Sequence, residues 1–229
     1  MRRAVLLIAH RGDPAHAPEN TLTSFGQAIR KGARAIEMDV RRSHDGVWVA
    51  FHDPTLRRMT GRVGRLATTP RAVLRTLRIG STERIPTLSA VLTRCRRRRI
   101  RVFIDLKVSG HERDLLACLR RSRGLSSVIL GVGSPIALRR WRTLLPRQPL
   151  FWVTRTYQRV TPRRIALARR LSATGLAVNR RWVTARVVRE VHAAGLALYV
   201  WTIKTPRDLA RYSALGVDGL MNEVWPVRR

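Results

Sequence analysis

Lysine and acidic residues are scarce in this chain of 229 residues. Lysine occurs only three times among the 46 basic residues, at Lys31, Lys107 and Lys204, so arginine carries nearly all of the positive charge. With only 14 acidic residues, the formal net charge is +32. Such a charge attracts anions, including phosphodiesters, nucleic acid and acidic membrane surfaces. The arginines are spread over nearly every predicted helix, which is also typical of a compositional bias, so both interpretations stay open.

Cysteines and long apolar runs are also nearly absent. Cys95 and Cys118 are the only cysteines and fit no metal-binding spacing, so we expect two small buried residues and no disulfide framework. No apolar run approaches the roughly 18–20 residues that a membrane-spanning helix needs. The run at residues 4–9 is shorter than the ~7–15 residues of a secretory signal core and lacks a cleavage site. We interpret it as a core strand and expect a cytoplasmic protein.

The chain does contain a regular alternation of strand-length apolar runs and helix-length segments. This alternation predicts a parallel sheet with right-handed helical connections. Strands are predicted at residues 4–9, 35–40, 47–52, 101–107, 128–132, 150–154, 175–179, 197–203 and 217–221. Helices are predicted at residues 21–31, 87–98, 112–121, 135–144, 162–171, 184–194 and 206–214. Asn20 or Thr21 is the predicted cap of the first helix.

The second and third predicted strands have no helix between them. Only a turn centred on Asp45 and Gly46 separates them, so we expect an antiparallel hairpin. Setting one hairpin strand aside leaves eight parallel strands, the number that closes a (β/α)8 barrel. The prediction is an α/β TIM barrel with an extra antiparallel hairpin strand, a single domain over residues 1–229 and a small insertion at about residues 54–86. Active sites of such barrels lie at the carboxyl ends of the strands.

Residues suited to phosphate chemistry lie at predicted strand ends. Glu37 and Asp39 are two positions apart and so share one face of their strand, and Asp105 and Lys107 repeat this spacing on a later strand. Carboxylates this close repel each other unless a cation joins them. We therefore predict Glu37, Asp39 and Asp105 as ligands of a divalent cation, Mg²⁺ or Ca²⁺. Lys107 is the predicted contact for a phosphate.

Two histidines and an arginine complete the predicted site. His10 ends the first strand, and the hairpin returns His52 to a position opposite Asp39. Paired histidines suit phosphodiester cleavage, because one removes a proton from the attacking oxygen while the other protonates the leaving alkoxide. Arg11 is predicted to neutralise charge on the phosphate oxygens.

Together these motifs resemble the glycerophosphodiester phosphodiesterase family. The matching segments are H-R-G (10–12), P-E-N-T (18–21), G-A-x-x-I-E-x-D-V (32–40), D-G (45–46), H-D-P-T-L-x-R (52–58), I-D-L-K (104–107), V-W-T (200–202) and G-V-D-G (216–219). The resemblance implies a TIM barrel that hydrolyses glycerophosphodiesters to sn-glycerol 3-phosphate and an alcohol with one divalent cation, Mn²⁺ being a third candidate. It also implies His10 and His52 as the acid–base pair and Trp201 as an apolar wall near the glycerol.

The chain departs from the family pattern at three places. Asp105 stands where the family usually has glutamate, and Lys204 where it usually has asparagine. The usual T-D-x-P after the last strand becomes N-E-V-W-P at residues 222–226. These departures bear on substrate preference more than on the class of reaction. The tryptophans other than Trp201 are predicted packing residues, although Trp152 lies at a strand end, where it could line the pocket.

Two alternative functions remain open from the sequence. The short insertion predicts an open mouth, which together with the positive surface favours a lysophospholipase D-like enzyme that acts on lysophospholipids and contacts an anionic membrane peripherally. The other alternative is a non-enzymatic barrel that binds polyanions, and one continuous stripe of arginines away from the mouth would favour it. We expect no specific nucleic-acid partner.

Overall fold

Eight parallel strands form a closed ring in a computed structural model, which describes residues 4–224. Numbered in chain order, the ring strands are β1 (Leu6–His10), β2 (Ala35–Arg42), β6 (Arg101–Leu106), β7 (Val128–Val132), β8 (Leu150–Val153), β9 (Gly175–Asn179), β10 (Ala197–Ile203) and β11 (Gly219–Asn222). Strand β1 pairs with both β2 and β11, which closes the ring. The predicted (β/α)8 TIM barrel is confirmed.

The ninth strand of the sheet is β3 (Trp48–Ala50), which lies outside the ring and pairs antiparallel with β2. It is the extra hairpin strand that the turn at Asp45 and Gly46 predicts. The strand is shorter than predicted: β3 ends at Ala50, although the N–H of Phe51 still donates to the carbonyl of Asp39 in β2 at 3.0 Å. His52 consequently lies in a loop, beside β2.

Seven helices within residues 4–224 cover the outside of the ring. They are α1 (Leu22–Arg30), α4 (Leu88–Arg97), α5 (Glu112–Arg121), α6 (Pro135–Leu144), α7 (Pro162–Arg170), α8 (Ala185–Ala193) and α9 (Pro206–Ala214). All except α5 begin after a Ser or Thr whose hydroxyl accepts a backbone N–H of the first turn. These caps satisfy helix donors that would otherwise lack a partner. Thr21 is the cap of α1, which leaves Asn20 for another role.

The insertion forms a small lobe beside the ring, hereafter the insertion lobe (residues 53–86). It contains α2 (Arg57–Thr60), α3 (Arg71–Thr76) and a two-stranded hairpin of β4 (Arg78–Ile79) and β5 (Glu83–Arg84). A separate apolar cluster holds it to β3, formed by Val49, Phe51, Leu56, Leu66, Leu74, Ile79 and Ile85. The lobe therefore has its own buried anchor.

The ring encloses an apolar core to which every ring strand contributes one buried residue, namely Ile8, Ala35, Phe103, Ile129, Phe151, Ala177, Tyr199 and Met221. A larger apolar layer lies between the strands and the helices. Both cysteines are free, with Cys95 buried in this layer as predicted and Cys118 only half-buried. Among residues 4–224, no helix has the length and apolarity that crossing a bilayer requires.

Candidate active site

The polar residues of the site continue the inward-facing rows of the barrel core. Successive side chains of a strand alternate between its two faces, so a residue two positions after an inward residue also points inward. The inward core residues Ile8, Ala35, Phe103, Tyr199 and Met221 are followed two positions later by His10, Glu37, Asp105, Trp201 and Glu223. Five strands thus deliver their side chains to one end of the barrel, the mouth.

Three carboxylates converge at the mouth. One oxygen from each of Glu37, Asp39 and Asp105 lies within 4.8 Å of the others. Oxygen ligands lie ~2.3–2.6 Å from Ca²⁺, so two ligands of one ion are at most roughly 5 Å apart. The three carboxylates therefore fit a hard divalent cation in both spacing and donor chemistry. Lys107 already brings one positive charge to the cluster, its Nζ lying 2.9 Å from Asp39 and 2.6 Å from Asp105.

Glu37 and Asp39 have opposite electrostatic surroundings although both are buried. Burial, followed by the charge of Asp39, raises the pKa of the Glu37 carboxyl well above its usual range. Burial alone would also raise the pKa of Asp39, but the charges of Lys107 and Arg11 outweigh it and hold that pKa far below its usual range. The surroundings of Asp39 therefore favour its ionised form, whereas those of Glu37 disfavour it.

Each of the two site histidines is held by a carboxylate. Nδ1 of His10 lies 2.8 Å from Oε1 of Glu223, and Nδ1 of His52 lies 2.7 Å from Oδ1 of Asp53. Burial lowers the pKa of His10, and the hydrogen bond to Glu223 offsets part of this effect. An ionised carboxylate can only accept, so Nδ1 of each ring is the donor and Nε2 is left for other partners. Nε2 of His10 lies 3.9 Å from Glu37.

The loop from β1 to α1 positions the cationic side of the site. Arg11 adopts a left-handed backbone (φ 56°) that turns its N–H onto Oε2 of Glu37 at 2.9 Å. Its Nε lies 3.0 Å from Oδ2 of Asp39. Asn20, also left-handed (φ 59°), donates its amide to Asp39 at 2.9 Å and accepts the Asp39 N–H at 3.1 Å.

Several residues of the network are absent from the site predicted from sequence. Arg58 of the insertion lobe donates to both Asp53 and Glu19, and Glu19 also accepts from Arg11 at 3.0 Å. These residues lie inside the P-E-N-T and H-D-P-T-L-x-R motifs, and Glu223 lies in a segment that departs from the family pattern. Sequence spacing gives no signal that they pair, because Glu19 and Arg58 are 39 positions apart.

A cavity of about 520 Å³ opens at the mouth. Every predicted site residue except Asp39 lines it, namely His10, Arg11, Glu37, His52, Asp105, Lys107 and Trp201. Asp39 lies behind them, held by Asn20 and Lys107. Trp152 is not among the lining residues; it is buried in the layer between strands and helices, because its neighbour Phe151 takes the inward position. Trp225 falls outside the described residues.

The mouth of the barrel thus brings two histidines, fixed cations and carboxylates into one cavity, a combination suited to phosphate chemistry. The model of the glycerophosphoryl diester phosphodiesterase family matches residues 10–223, so the chain belongs to that family and is a phosphoric diester hydrolase. A glycerophosphodiester phosphodiesterase of Caldanaerobacter subterraneus is 29% identical over 95% of this chain and 93% of its own length.

Solved structures show the same fold. A phosphodiesterase of Oleispira antarctica in complex with the product sn-glycerol-3-phosphate has a TM-score of 0.84, at 27% identity over 95% of this chain and 92% of that one. A glycerophosphodiester phosphodiesterase of Agrobacterium tumefaciens has a TM-score of 0.81 at 23% identity, with 96% of each chain covered. The family assigned by the match is thus the same as the family that the sequence motifs resemble.

Proposed function

We propose that this protein cleaves glycerophosphodiesters to sn-glycerol 3-phosphate and an alcohol, with His10 and His52 as the acid–base pair. The observation that carries the proposal is the anchoring of both imidazoles by carboxylates at Nδ1, beside a cavity that both rings line. One Nε2 accepts the proton of the attacking oxygen, and the other donates a proton to the leaving alkoxide. The product bound in the Oleispira antarctica relative supports this choice of substrate.

The carboxylates of Glu37, Asp39 and Asp105 would hold one divalent cation, Mg²⁺ or Ca²⁺, with Mn²⁺ as a third candidate. Such a cation, when bound, supplies positive charge against the non-bridging phosphate oxygens. Lys107 and Arg11 line the cavity and add fixed positive charge there. Trp201 offers an apolar wall for the glycerol carbons.

Hydrolysis of glycerophosphocholine, followed by the glycerol 3-phosphate released, tests the proposal. Assays with Mg²⁺, Ca²⁺ or Mn²⁺, and with a chelator, measure the metal requirement. His10→Ala and His52→Ala should each lower kcat by roughly 10²- to 10⁴-fold, the usual contribution of an acid or base. His192→Ala is the matched control, because His192 also pairs with a carboxylate, Asp218, but lies on α8 outside the cavity. Near-normal activity of both site variants would disprove the assignment.

Lysophospholipids are a second candidate substrate class. No described residue of the insertion lobe lines the cavity, so the lobe stands beside the mouth and leaves room for a bulky or lipid leaving group. Comparing kcat/KM for a lysophospholipid and for glycerophosphocholine separates the two substrates. The polyanion-binding barrel is less favoured: exposed arginines follow the mouth strands, for example Arg155 and Arg181, as well as the opposite helix ends, for example Arg97 and Arg170.

A further inference from the structure

Within residues 4–224, the large apolar side chains that are mostly exposed lie at one end of the molecule. Within residues 4–224, the only large hydrophobic residues with mostly exposed side chains are Val63, Ile136 and Tyr157, at 79%, 67% and 68% exposure. Single exposed apolar residues are ordinary on a protein surface, so their number alone signifies nothing. What they share is their position.

All three lie at the mouth. Ile136 is the second residue of α6, which begins directly after the carboxyl end of β7. Tyr157 lies between β8 and α7 and lines the cavity. Val63 lies on the insertion lobe, in a loop that is joined to the segment after His52 by a bridge between Thr55 and Arg65. The opposite end of the barrel has no residue of this kind among those described.

The Val63 loop is shaped to display its side chains. Gly61 and Gly64 both have positive φ (73° and 135°), a conformation that glycine adopts without strain, and they enclose Arg62 and Val63. A Cβ on either glycine would meet nothing within 4 Å. The loop thus projects an apolar and a cationic side chain together.

Positive charge surrounds these apolar residues. Exposed arginines near them include Arg57, Arg62 and Arg65 on the insertion lobe and Arg155 and Arg159 beside Tyr157. The acids at the mouth are already engaged; for example, Glu19 and Asp53 pair with Arg58. The other end of the barrel is also rich in arginine, with Arg96–Arg99 exposed. Charge therefore does not distinguish the two ends, whereas the exposed apolar side chains do.

We propose that the mouth of the barrel docks on an anionic lipid surface, with Val63, Ile136 and Tyr157 entering the headgroup region and the surrounding arginines contacting lipid phosphates. Transfer of apolar side chains surrounded by arginines to the headgroup region is favourable, because the apolar groups leave water while the arginines contact anionic phosphates. A nucleic-acid backbone would also bind the arginines through its phosphates, but it would offer the aliphatic side chains no apolar contact. Docking in this orientation sets the cavity against the membrane.

Co-sedimentation with vesicles tests the orientation independently of catalysis. The full chain should bind vesicles of phosphatidylcholine containing phosphatidylglycerol and bind pure phosphatidylcholine weakly. The double variant Val63→Ser/Ile136→Ser keeps every charge and should lower the partition coefficient about tenfold. Neither residue lines the cavity, so turnover of glycerophosphocholine in solution should stay unchanged and serves as the check on folding.

Two triple variants that remove equal charge test the role of the arginines. Arg57→Gln/Arg62→Gln/Arg65→Gln should weaken binding roughly 100-fold, since each arginine near an anionic surface contributes about 1 kcal/mol. Arg96→Gln/Arg97→Gln/Arg99→Gln, at the opposite end, should weaken it by no more than about threefold. Equal losses in the two triple variants, or no loss in the apolar double variant, would overturn the proposal. Duplex DNA can also be added as a competitor for vesicle binding. If it displaces the vesicles equally well from the unmodified chain and from the apolar double variant, the proposal is overturned.

Discussion

Glu223 shows at the scale of one residue how a departure from the family motif takes part in the site. It follows β11, whereas His10 ends β1, and the ring closure between these strands brings the two side chains within 2.8 Å. Burial alone would raise the pKa of Glu223, but the hydrogen bond and charge of His10, with Lys204 and Arg11, outweigh it and lower that pKa. Glu223 therefore stays ionised and orients the His10 ring.

We predict that Glu223→Gln lowers kcat for glycerophosphocholine by roughly 10- to 1000-fold with little change in KM. The amide fits the same space but lacks the charge that fixes the His10 tautomer, so the loss falls on the chemical step. Steady-state kinetics measure both parameters. Asp218→Asn is the matched control. The Asp218 carboxylate lies 2.9 Å from Nε2 of His192, and neither residue lines the cavity. Similar losses in the two variants would show that Glu223 is merely structural.

The loop between β1 and α1 is the element on which most of the site depends. It carries Arg11 and Asn20, and it can turn under the site because Gly12 has no side chain. Gly12 has φ 93°, and a Cβ there would lie 2.4 Å from Oγ and 2.6 Å from the carbonyl carbon of Ser24. Ser24 itself lies in α1, so the loop and the helix cannot separate to make room without breaking their packing.

Gly12→Ala should lower the free energy of unfolding by about 2–3 kcal/mol, because backbone strain and a steric clash add together. Urea denaturation followed by circular dichroism measures the loss. Gly61→Ala is the control: Gly61 has a similar φ of 73°, but its Cβ would meet nothing within 4 Å. That variant should lose only about 1 kcal/mol, the cost of the left-handed backbone. Equal losses would contradict the steric argument.

At the scale of the whole molecule, positive charge exceeds what the acids can balance. The chain has 46 lysines and arginines against 14 acids. Within residues 4–224, only Asp45 and Glu83 lack a basic partner at ion-pair distance, so almost every acid is already used. The remaining arginines repel each other across the surface, which destabilises the compact state.

Added salt should therefore raise the thermal stability of the metal-free protein. Screening weakens repulsion between exposed charges more than it weakens buried pairs such as Arg11 with Asp39. Each kcal/mol gained should raise Tm by roughly 2–4 °C in a chain of this length. Differential scanning calorimetry over a sodium chloride series measures the slope. Arg96→Gln/Arg97→Gln/Arg99→Gln should reduce it, and a Tm that falls with salt would contradict this account.

The barrel itself was predictable from local patterns. Strands β7, β9 and β10 and helices α5, α6 and α9 have the predicted boundaries. For α6 and α9, the capping residues Ser134 and Thr205 mark the helix start in the sequence. The last strand was less predictable: β11 begins at Gly219, two residues after the predicted start. The apolar Val217 resembles a strand residue, yet it packs against the outer apolar layer before the sheet begins.

The sequence by itself determined the alternation of strands and helices, the hairpin, and the strand ends that carry His10, Glu37 and Asp105; Trp201 followed from the family motif. The lengths of the apolar runs, the Asp45–Gly46 turn and the spacing of two between paired site residues are all local properties. Only the tertiary structure decided which polar side chains meet: Glu223 with His10, Arg58 with Glu19, and Asn20 with Asp39. Closure of the ring and docking of the insertion lobe create these contacts between segments distant in sequence, and no local periodicity encodes them.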